Sequence, residues 1–207
     1  MPSGPASAVF AEPGDLAAAA RAIARVVGRA GAKRIAMPGG STAPRVLGLL
    51  DGRGLDWRGT AVVPTDDRQV APDHPASNLG LLRNALAGSG AEVVALREGE
   101  IPARFDLVWL GMGEDGHVAS LFPRMTASGS DGPRVIATLP DPLPREAPYP
   151  RLSLNLASLT ATGELMIVAT GPAKRSVLEA ALAGTGDLPI TRLMAAATCP
   201  VTIYWTA

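Results

Sequence analysis

Short apolar runs alternate along the chain with longer stretches in which apolar residues recur at helical spacing. The runs at residues 33–37, 105–110 and 165–170 are apolar over most of their length, which is typical of strands buried on both faces of a parallel sheet. Between residues 15 and 30, apolar side chains instead recur every three or four positions and Gly31 supplies a stop, so this stretch is predicted to be a helix. Alternating strands and helices indicate βαβ units.

The same criteria assign the rest of the chain. They predict strands at residues 33–37, 61–64, 92–96, 105–110, 134–138, 151–154, 165–170 and 201–205, and helices at residues 15–30, 43–50, 77–87, 118–121 and 172–183. Residues 124–150 are rich in Pro, Gly and Ser, but the elements after them need the earlier strands to complete a sheet. We therefore predict one domain over residues 1–207, of the α/β class, with a mostly parallel sheet and helices on both faces.

Composition narrows the function classes. Of the 207 residues 47% are hydrophobic, and 19 Lys and Arg balance 19 Asp and Glu. A net charge of zero with dispersed basic residues argues against nucleic acid or an anionic membrane as partner, so a few placed cations must hold any anionic ligand. The single Cys199 is interpreted as a buried small hydrophobe, excludes an intrachain disulfide and suits a reducing compartment. No apolar segment approaches the length of a membrane span, and we expect a cytoplasmic protein.

The strand at residues 105–110 leads into the loop that carries the most telling chemistry. Gly111-Met112-Gly113-Glu114-Asp115-Gly116-His117 places two carboxylates and one of only two histidines after a core strand. Ligands of open α/β sheets bind at this end of the strands, and a histidine beside acids suits a general base near neutral pH. The alternative is that His117 lies at a helix N-terminus with a satisfied ring. We predict no metal site, because a second imidazole or a thiolate at ligand spacing is missing.

A second glycine-containing segment, Gly39-Gly40-Ser41-Thr42, lies between a predicted strand and a predicted helix. Glycines let backbone amides approach an anion, and hydroxyls at a helix start add donors where the helix dipole favours negative charge. An ordinary helix cap would use the same residues. The segment lacks the spaced lysine of a P-loop, so nucleotide binding is not indicated.

Three further segments supply cations. Asp66-Asp67-Arg68 follows a strand, Arg151 begins one, and Lys174 lies in the first turn of the helix that starts at residue 172. Each could contact a ligand phosphate. Taken singly, an Asp-rich turn with a solvated arginine and an ordinary surface lysine are the better explanations of these segments.

In their order along the chain, these segments resemble 6-phosphogluconolactonases, which belong to the glucosamine-6-phosphate isomerase/6-phosphogluconolactonase family. The resemblance extends from Lys33 to Trp205, and its most specific part runs from Gly111 to Pro123. The matching segments are residues 39–42, 66–68, 74–78, 111–123, 151–154 and 170–174.

The resemblance implies a three-layer Rossmann-like sandwich that hydrolyses 6-phospho-D-glucono-1,5-lactone to 6-phospho-D-gluconate in the oxidative pentose phosphate pathway. It implies no cofactor, and we infer no obligate protein partner. His117 is expected to be the general base, Asp115 to orient it, and Asp66 to position water or the sugar hydroxyls. Loop amides near Gly40 or Gly113 are the candidates for stabilising the oxyanion. The residues expected to bind substrate and its phosphate are Gly39, Gly40, Ser41, Thr42, Arg68, Arg151 and Lys174.

The chain also departs from the family's pattern. Asp67 stands where the family usually has Glu, with Thr65 before the Asp66 position, and the chain is short enough that trimmed loops are expected between residues 124 and 150. A sugar-phosphate isomerase or deaminase of the glucosamine-6-phosphate deaminase type is the alternative function. Such deaminases carry Asn-Glu-Pro after the corresponding histidine, whereas this chain has Ser120-Leu121-Phe122-Pro123. A sugar-phosphate sensor without catalysis is a third possibility, although it would not need Asp115 and His117.

Overall fold

A seven-stranded parallel sheet forms the centre of the computed structural model, which describes residues 8–50, 54–125, 132–145 and 147–207. Every strand pair in this sheet is parallel, and its strand order is β1-β10-β9-β6-β2-β3-β5. The strands of the described residues are β1 Ala8–Phe10, β2 Lys33–Met37, β3 Thr60–Pro64, β4 Asp66–Arg68, β5 Glu92–Val93, β6 Phe105–Leu110, β7 Val135–Thr138, β8 Arg151–Leu154, β9 Thr162–Thr170 and β10 Val201–Thr206. The helices are α1 Leu16–Val27, α2 Thr42–Gly48, α3 Asn78–Ala85, α4 Leu156–Thr160, α5 Pro172–Leu182 and α6 Pro189–Ala196.

Helices cover both faces of the sheet, which confirms the predicted class. Side chains of β6 alternate between two buried clusters, so that Leu107 and Trp109 contact the cluster of α1, α2 and α3, while Val108 and Leu110 contact that of α4, α5 and α6. The alternation follows from the pleat, which turns successive side chains to opposite faces. Strands buried in this way need apolar residues at nearly every position, and for that reason β2 and β6 have the bounds that the sequence predicts.

A second sheet was not predicted. It has three antiparallel strands in the order β4-β8-β7 and packs on the α4, α5 and α6 side, where Val135 and Leu154 join that cluster. Its strand β4 consists of only three residues and directly follows β3, a stretch for which a turn was the alternative interpretation. Pairing of β4 with β8 places Arg68 opposite Arg151 in the ladder.

Several predicted elements differ from the structure in their bounds or are absent from it. The predicted strand 92–96 is only Glu92–Val93, and β1, α4 and α6 were not predicted. The predicted helix at residues 118–121 is wrong, because Val118 makes isolated bridges to both Met112 and Leu121 and the chain turns there. Of the Pro-rich stretch, residues 126–131 and 146 lie outside the described residues, so the expected loop trimming stays a prediction.

Two expectations from composition concern the single cysteine and membrane-spanning segments. Cys199 is 5% exposed and packs in the core with no disulfide partner, as predicted. Among the residues described, no helix combines the length and the apolar character needed to cross a membrane.

One ion-pair cluster fastens α1 to the sheet. Glu164 on β9 accepts hydrogen bonds from Arg25, at 3.1 and 2.6 Å, and from Arg29 just beyond the end of α1. Burial by itself would raise the pKa of Glu164, but the hydrogen bonds from both arginines outweigh it and lower that pKa. The folded state therefore favours the carboxylate.

We predict that Glu164→Gln lowers the free energy of unfolding at pH 7 by about 1 kcal/mol, since the arginines are partly exposed and screened. A carboxylate whose folded pKa lies below its ordinary value stabilises the fold above that ordinary value, 4.5, and loses this effect as pH falls through the folded pKa. Urea unfolding at pH 7 and pH 3 measures the difference, with exposed Glu98→Gln as the control. An equal difference at both pH values would contradict the assignment.

Candidate active site

A cavity of about 200 Å³ opens at the carboxyl ends of β2 and β6, adjacent strands from which the chain winds in opposite directions. Such a reversal point is where open α/β sheets bind ligands. Nine of the ten predicted site residues line the cavity. The tenth, Asp115, does not line it but contacts the His117 ring. The lining residues are Pro38, Gly39, Gly40, Ser41, Thr42, Asp66, Arg68, Asn78, Trp109, Gly111, Met112, Gly113, His117, Ala119, Arg151, Val168 and Lys174.

His117 and Asp115 form a hydrogen-bonded pair within one loop. Nδ1 of His117 lies 2.6 Å from Oδ1 of Asp115, and the same oxygen accepts the backbone N–H of His117 at 3.2 Å. A carboxylate in this position selects the tautomer that carries its proton on Nδ1. Nε2 is then left with its lone pair as the basic nitrogen of the ring.

The loop can make this pair only because of its glycines. A Cβ on Gly113 would overlap Nδ1 of His117 and lie 2.6 Å from Oδ1 of Asp115, and Gly116 has a φ of +79°, which favours glycine. The Gly113 N–H donates to the His117 carbonyl at 3.0 Å, so it is not free to stabilise an oxyanion. No helix starts here, which rules out the alternative of a helix-terminal histidine.

Two guanidinium groups lie near each other in the cavity wall. Arg151 is 7% exposed and Arg68 is half-buried, and Nε of each is buried without a hydrogen-bond partner among the described residues. Arg68 donates to the carbonyl of Ala76 at 2.8 Å and to Oδ1 of Asn78 at 3.3 Å. Burial and the nearby charge of Arg68 lower the pKa of Arg151. An anion in the cavity would offset that desolvation and repulsion.

Asp66 connects the arginines to the loop that carries His117. Its Oδ2 accepts a hydrogen bond from Ser120 Oγ at 2.5 Å and lies 4.0 Å from a terminal nitrogen of Arg151. Asn78 donates through Nδ2 to the Asp66 carbonyl at 2.7 Å. Asp66 therefore lies in the cavity as predicted, with much of its hydrogen-bonding capacity already used by the protein.

Asp67 supports the site from outside the cavity. Its carboxylate accepts the backbone N–H groups of Arg68, Asn78 and Leu79 at 2.8, 2.6 and 3.1 Å, and so caps the N-terminus of α3. Burial raises the pKa of Asp67, although these three donors oppose the effect. The aspartate side chain is therefore long enough to cap α3.

Two helices direct their first turns at the cavity. Ser41 precedes α2 without making a side-chain capping bond, so its hydroxyl is available to a ligand and the interpretation as an ordinary cap fails. Lys174 is the third residue of α5 and follows Gly171, whose φ is +96°. A lysine in a first turn opposes the helix dipole, and Lys174 lines the cavity rather than an outer surface of the helix.

Sequence reasoning missed several side chains of this site. Phe122 has its ring centroid 5.2 Å from that of His117 and 5.6 Å from Cζ of Arg151, so it separates the imidazole from the cation. Asn78 and Ser120 hold Asp66, and Trp109 forms part of the floor. Asn78, Ser120 and Phe122 lie within segments that match the family's pattern, and this match was the only sequence feature that pointed to them. No group of three or more potential metal-binding side chains occurs in the part of the chain that is described.

Comparison with known proteins identifies relatives over the whole chain. A family model described as glucosamine-6-phosphate isomerases/6-phosphogluconolactonase matches residues 15–103 and 89–205. A 6-phosphogluconolactonase from Rhizobium meliloti is 32% identical over 95% of this chain and 97% of its own length, and one from Caulobacter vibrioides is 33% identical over 89% and 88%. The crystal structure of a 6-phosphogluconolactonase from Shewanella baltica has a TM-score of 0.78 at 26% identity, covering 100% of this chain and 99% of that one. These findings confirm the resemblance.

We predict that Asp67→Ala destabilises the protein by about 1–2 kcal/mol, because it leaves two backbone donors of the α3 terminus, and that of Arg68, without their acceptor. Asp67→Glu keeps an acceptor there and should lose less. Urea unfolding at pH 7 measures both, and exposed Asp73→Ala, whose carboxylate accepts no hydrogen bond among the described residues, should leave the midpoint unchanged. A midpoint for Asp67→Ala equal to that of the native protein would show that the cap does not stabilise the fold.

Proposed function

The chain belongs to the glucosamine-6-phosphate isomerase/6-phosphogluconolactonase family, and from this membership we propose that it hydrolyses 6-phospho-D-glucono-1,5-lactone to 6-phospho-D-gluconate. The reaction would be the lactonase step of the oxidative pentose phosphate pathway. One observation carries the proposal: a single cavity contains a histidine paired with a carboxylate and, across from it, Arg68, Arg151 and Lys174. A base and a set of cations in one cavity suit an ester whose far end is a phosphate.

The base acts on water. With Nδ1–H held by Asp115, Nε2 of His117 takes a proton from a water molecule while the water oxygen attacks the lactone carbonyl carbon. The tetrahedral oxyanion then collapses, the bond to the ring oxygen breaks, and the imidazolium returns its proton to that oxygen. The products are the carboxylic acid, which ionises in solution, and a free hydroxyl. Asp115 stabilises the transient imidazolium.

The phosphate holds the substrate for this step. Arg68 and Arg151 suit bidentate contacts with a phosphate dianion, and Lys174 supplies a point charge. The Ser41 and Thr42 hydroxyls, with the open backbone at Gly39 and Gly40, complete the binding set. Binding energy from this remote group orients the carbonyl against the base, which raises the rate of a reaction that needs little further activation.

Gly40 is the better of the two oxyanion candidates. The Gly113 N–H already donates within its loop, whereas that of Gly40 has no hydrogen-bond partner among the described residues and Gly40 lines the cavity. Asp66, held by Ser120 and Asn78, has limited free capacity and orients a sugar hydroxyl or the attacking water.

The deaminase alternative lacks support from the site. Where those deaminases carry the glutamate of Asn-Glu-Pro, one residue before the proline, this chain has Phe122, and the Ser120 hydroxyl donates to Asp66. A carboxylate that could serve ring opening of an amino sugar is therefore missing at that place. Ammonia release from glucosamine 6-phosphate should remain at background level.

We predict that the purified protein accelerates the disappearance of lactone generated freshly by glucose-6-phosphate dehydrogenase, and that His117→Ala lowers kcat by about 10²–10⁴ with little change in KM. The loss falls on kcat because the imidazole acts on water, while the cations that bind the phosphate remain.

His74→Ala is the matched control, since His74 accepts the Ala76 N–H in a loop outside the cavity and should leave turnover intact. Unchanged turnover in His117→Ala would rule out the proposed base, and no lactone hydrolysis by the native protein would rule out the function.

We predict that Arg151→Met raises KM for the lactone about 10- to 100-fold, the loss expected for a charged hydrogen bond in a desolvated site. The variant should stay folded, because the substitution relieves repulsion with Arg68. Steady-state kinetics measure the change, and Arg83→Met, an exposed arginine on α3, is the control. An unaltered KM would remove Arg151 from the phosphate site.

A further inference from the structure

The guanidinium of Arg175 is held against two aromatic rings. Its Cζ lies 3.7 Å from the centroid of the Phe10 ring and 5.1 Å from that of Trp205, and its Nε donates to Glu179 Oε1 at 2.6 Å. Phe10 ends β1 and Trp205 lies near the end of β10, so both rings come from the far edge of the main sheet. Contacts of a guanidinium with aromatic faces are favourable, more so when partly desolvated.

The residue that precedes α5 is tied to the same strand. Trp205 donates through Nε1 to the Gly171 carbonyl at 2.9 Å, and the Gly171 N–H donates to the Thr206 carbonyl at 2.9 Å. Four side-chain or backbone contacts therefore join Gly171 and the first turn of α5 to the ends of β1 and β10. We refer to Phe10, Arg175, Trp205 and Gly171 together as the terminal clamp.

Lys174 is adjacent to Arg175 and is the only cavity-lining residue that α5 contributes among those described. The clamp contacts sit at residues on either side of it, Gly171 before and Arg175 after. None of the clamp residues Phe10, Arg175 or Trp205 lines the cavity.

We infer that Arg175 is a positioning residue for the anion site. By contacting Phe10 and Trp205, it holds the first turn of α5 in a position from which the Lys174 ammonium reaches the bound phosphate. This inference rests on the proposed function for the identity of the ligand. Affinity for the phosphate then depends on the contacts of Arg175 with Phe10 and Trp205 at the sheet edge, outside the cavity.

The test compares three variants and one double variant in the full chain. Arg175→Met removes both the charge and the ring contacts. Phe10→Leu keeps the charge and removes the nearer ring. Lys174→Met removes the ammonium that Arg175 is inferred to position. The double variant Lys174→Met with Arg175→Met completes a double-mutant cycle. Dissociation constants for inorganic phosphate and for 6-phospho-D-gluconate are measured by calorimetry, alongside lactone kinetics.

We expect Arg175→Met and Phe10→Leu each to weaken phosphate binding roughly three- to tenfold, the range of a partly desolvated cation–aromatic contact, with kcat at saturation unchanged. In the Lys174→Met background, Arg175→Met should weaken binding no further. Exposed Arg58→Met, which has its own ion pair with Asp56, should bind phosphate like the native protein.

Two results would overturn the inference. A loss of affinity in Arg175→Met that Phe10→Leu does not share would assign the effect to net charge, and additive losses in the double variant would show that Arg175 acts independently of Lys174. Native protein that fails to bind phosphate would also overturn it. Native protein that binds phosphate but leaves the lactone intact would refute only the proposed function.

Discussion

The pairing of β4 with β8 forces two like charges together, and the rest of the site is arranged around that constraint. Arg68 and Arg151 face each other across an antiparallel ladder whose hydrogen bonds do not depend on them. Burying neighbouring cations is unfavourable, and the one carboxylate within 4.0 Å of them in the described part of the chain, that of Asp66, offsets only part of the cost. The proposed phosphate would thus enter a site whose charges are assembled in advance, and little reorganisation would remain to be done on binding.

The base and the cations are built in different ways. Asp115 and His117 belong to one loop and meet through local geometry. Gly113 makes this possible because it has no side chain that would occupy the space of the pair. The cations come from β4, β8 and α5, which are far apart in sequence and meet only when the sheets have formed. Phe122 and the contact between Ser120 and Asp66 join the two halves, so the distance from His117 to the cations is set by side chains packed between them.

Much of the fold could be predicted because burial on both faces leaves a local signal. Strands β2 and β6 carry it in their own residues, and their bounds agree with the prediction. Strand β4 carries none, since three polar residues become a strand only by pairing with β8. Residues 118–121 are apolar enough to suggest a helix, but Val118 is drawn into bridges with Met112 and Leu121. For the cations the chain alone left ordinary explanations open, and it was the resemblance that joined them into one site.

The main sheet ends on both sides in very short strands, β5 with two residues and β1 with three. An exposed edge strand offers unpaired backbone groups to other chains, and short edges are one way in which proteins suppress such pairing. Along these strands, as far as the chain is described, a neighbouring molecule would find only a few free amides at either border of this sheet. Self-association, and with it the aggregation hazard of crowded or partly heated samples, would therefore have to proceed through side-chain surfaces rather than by continuing the sheet from copy to copy.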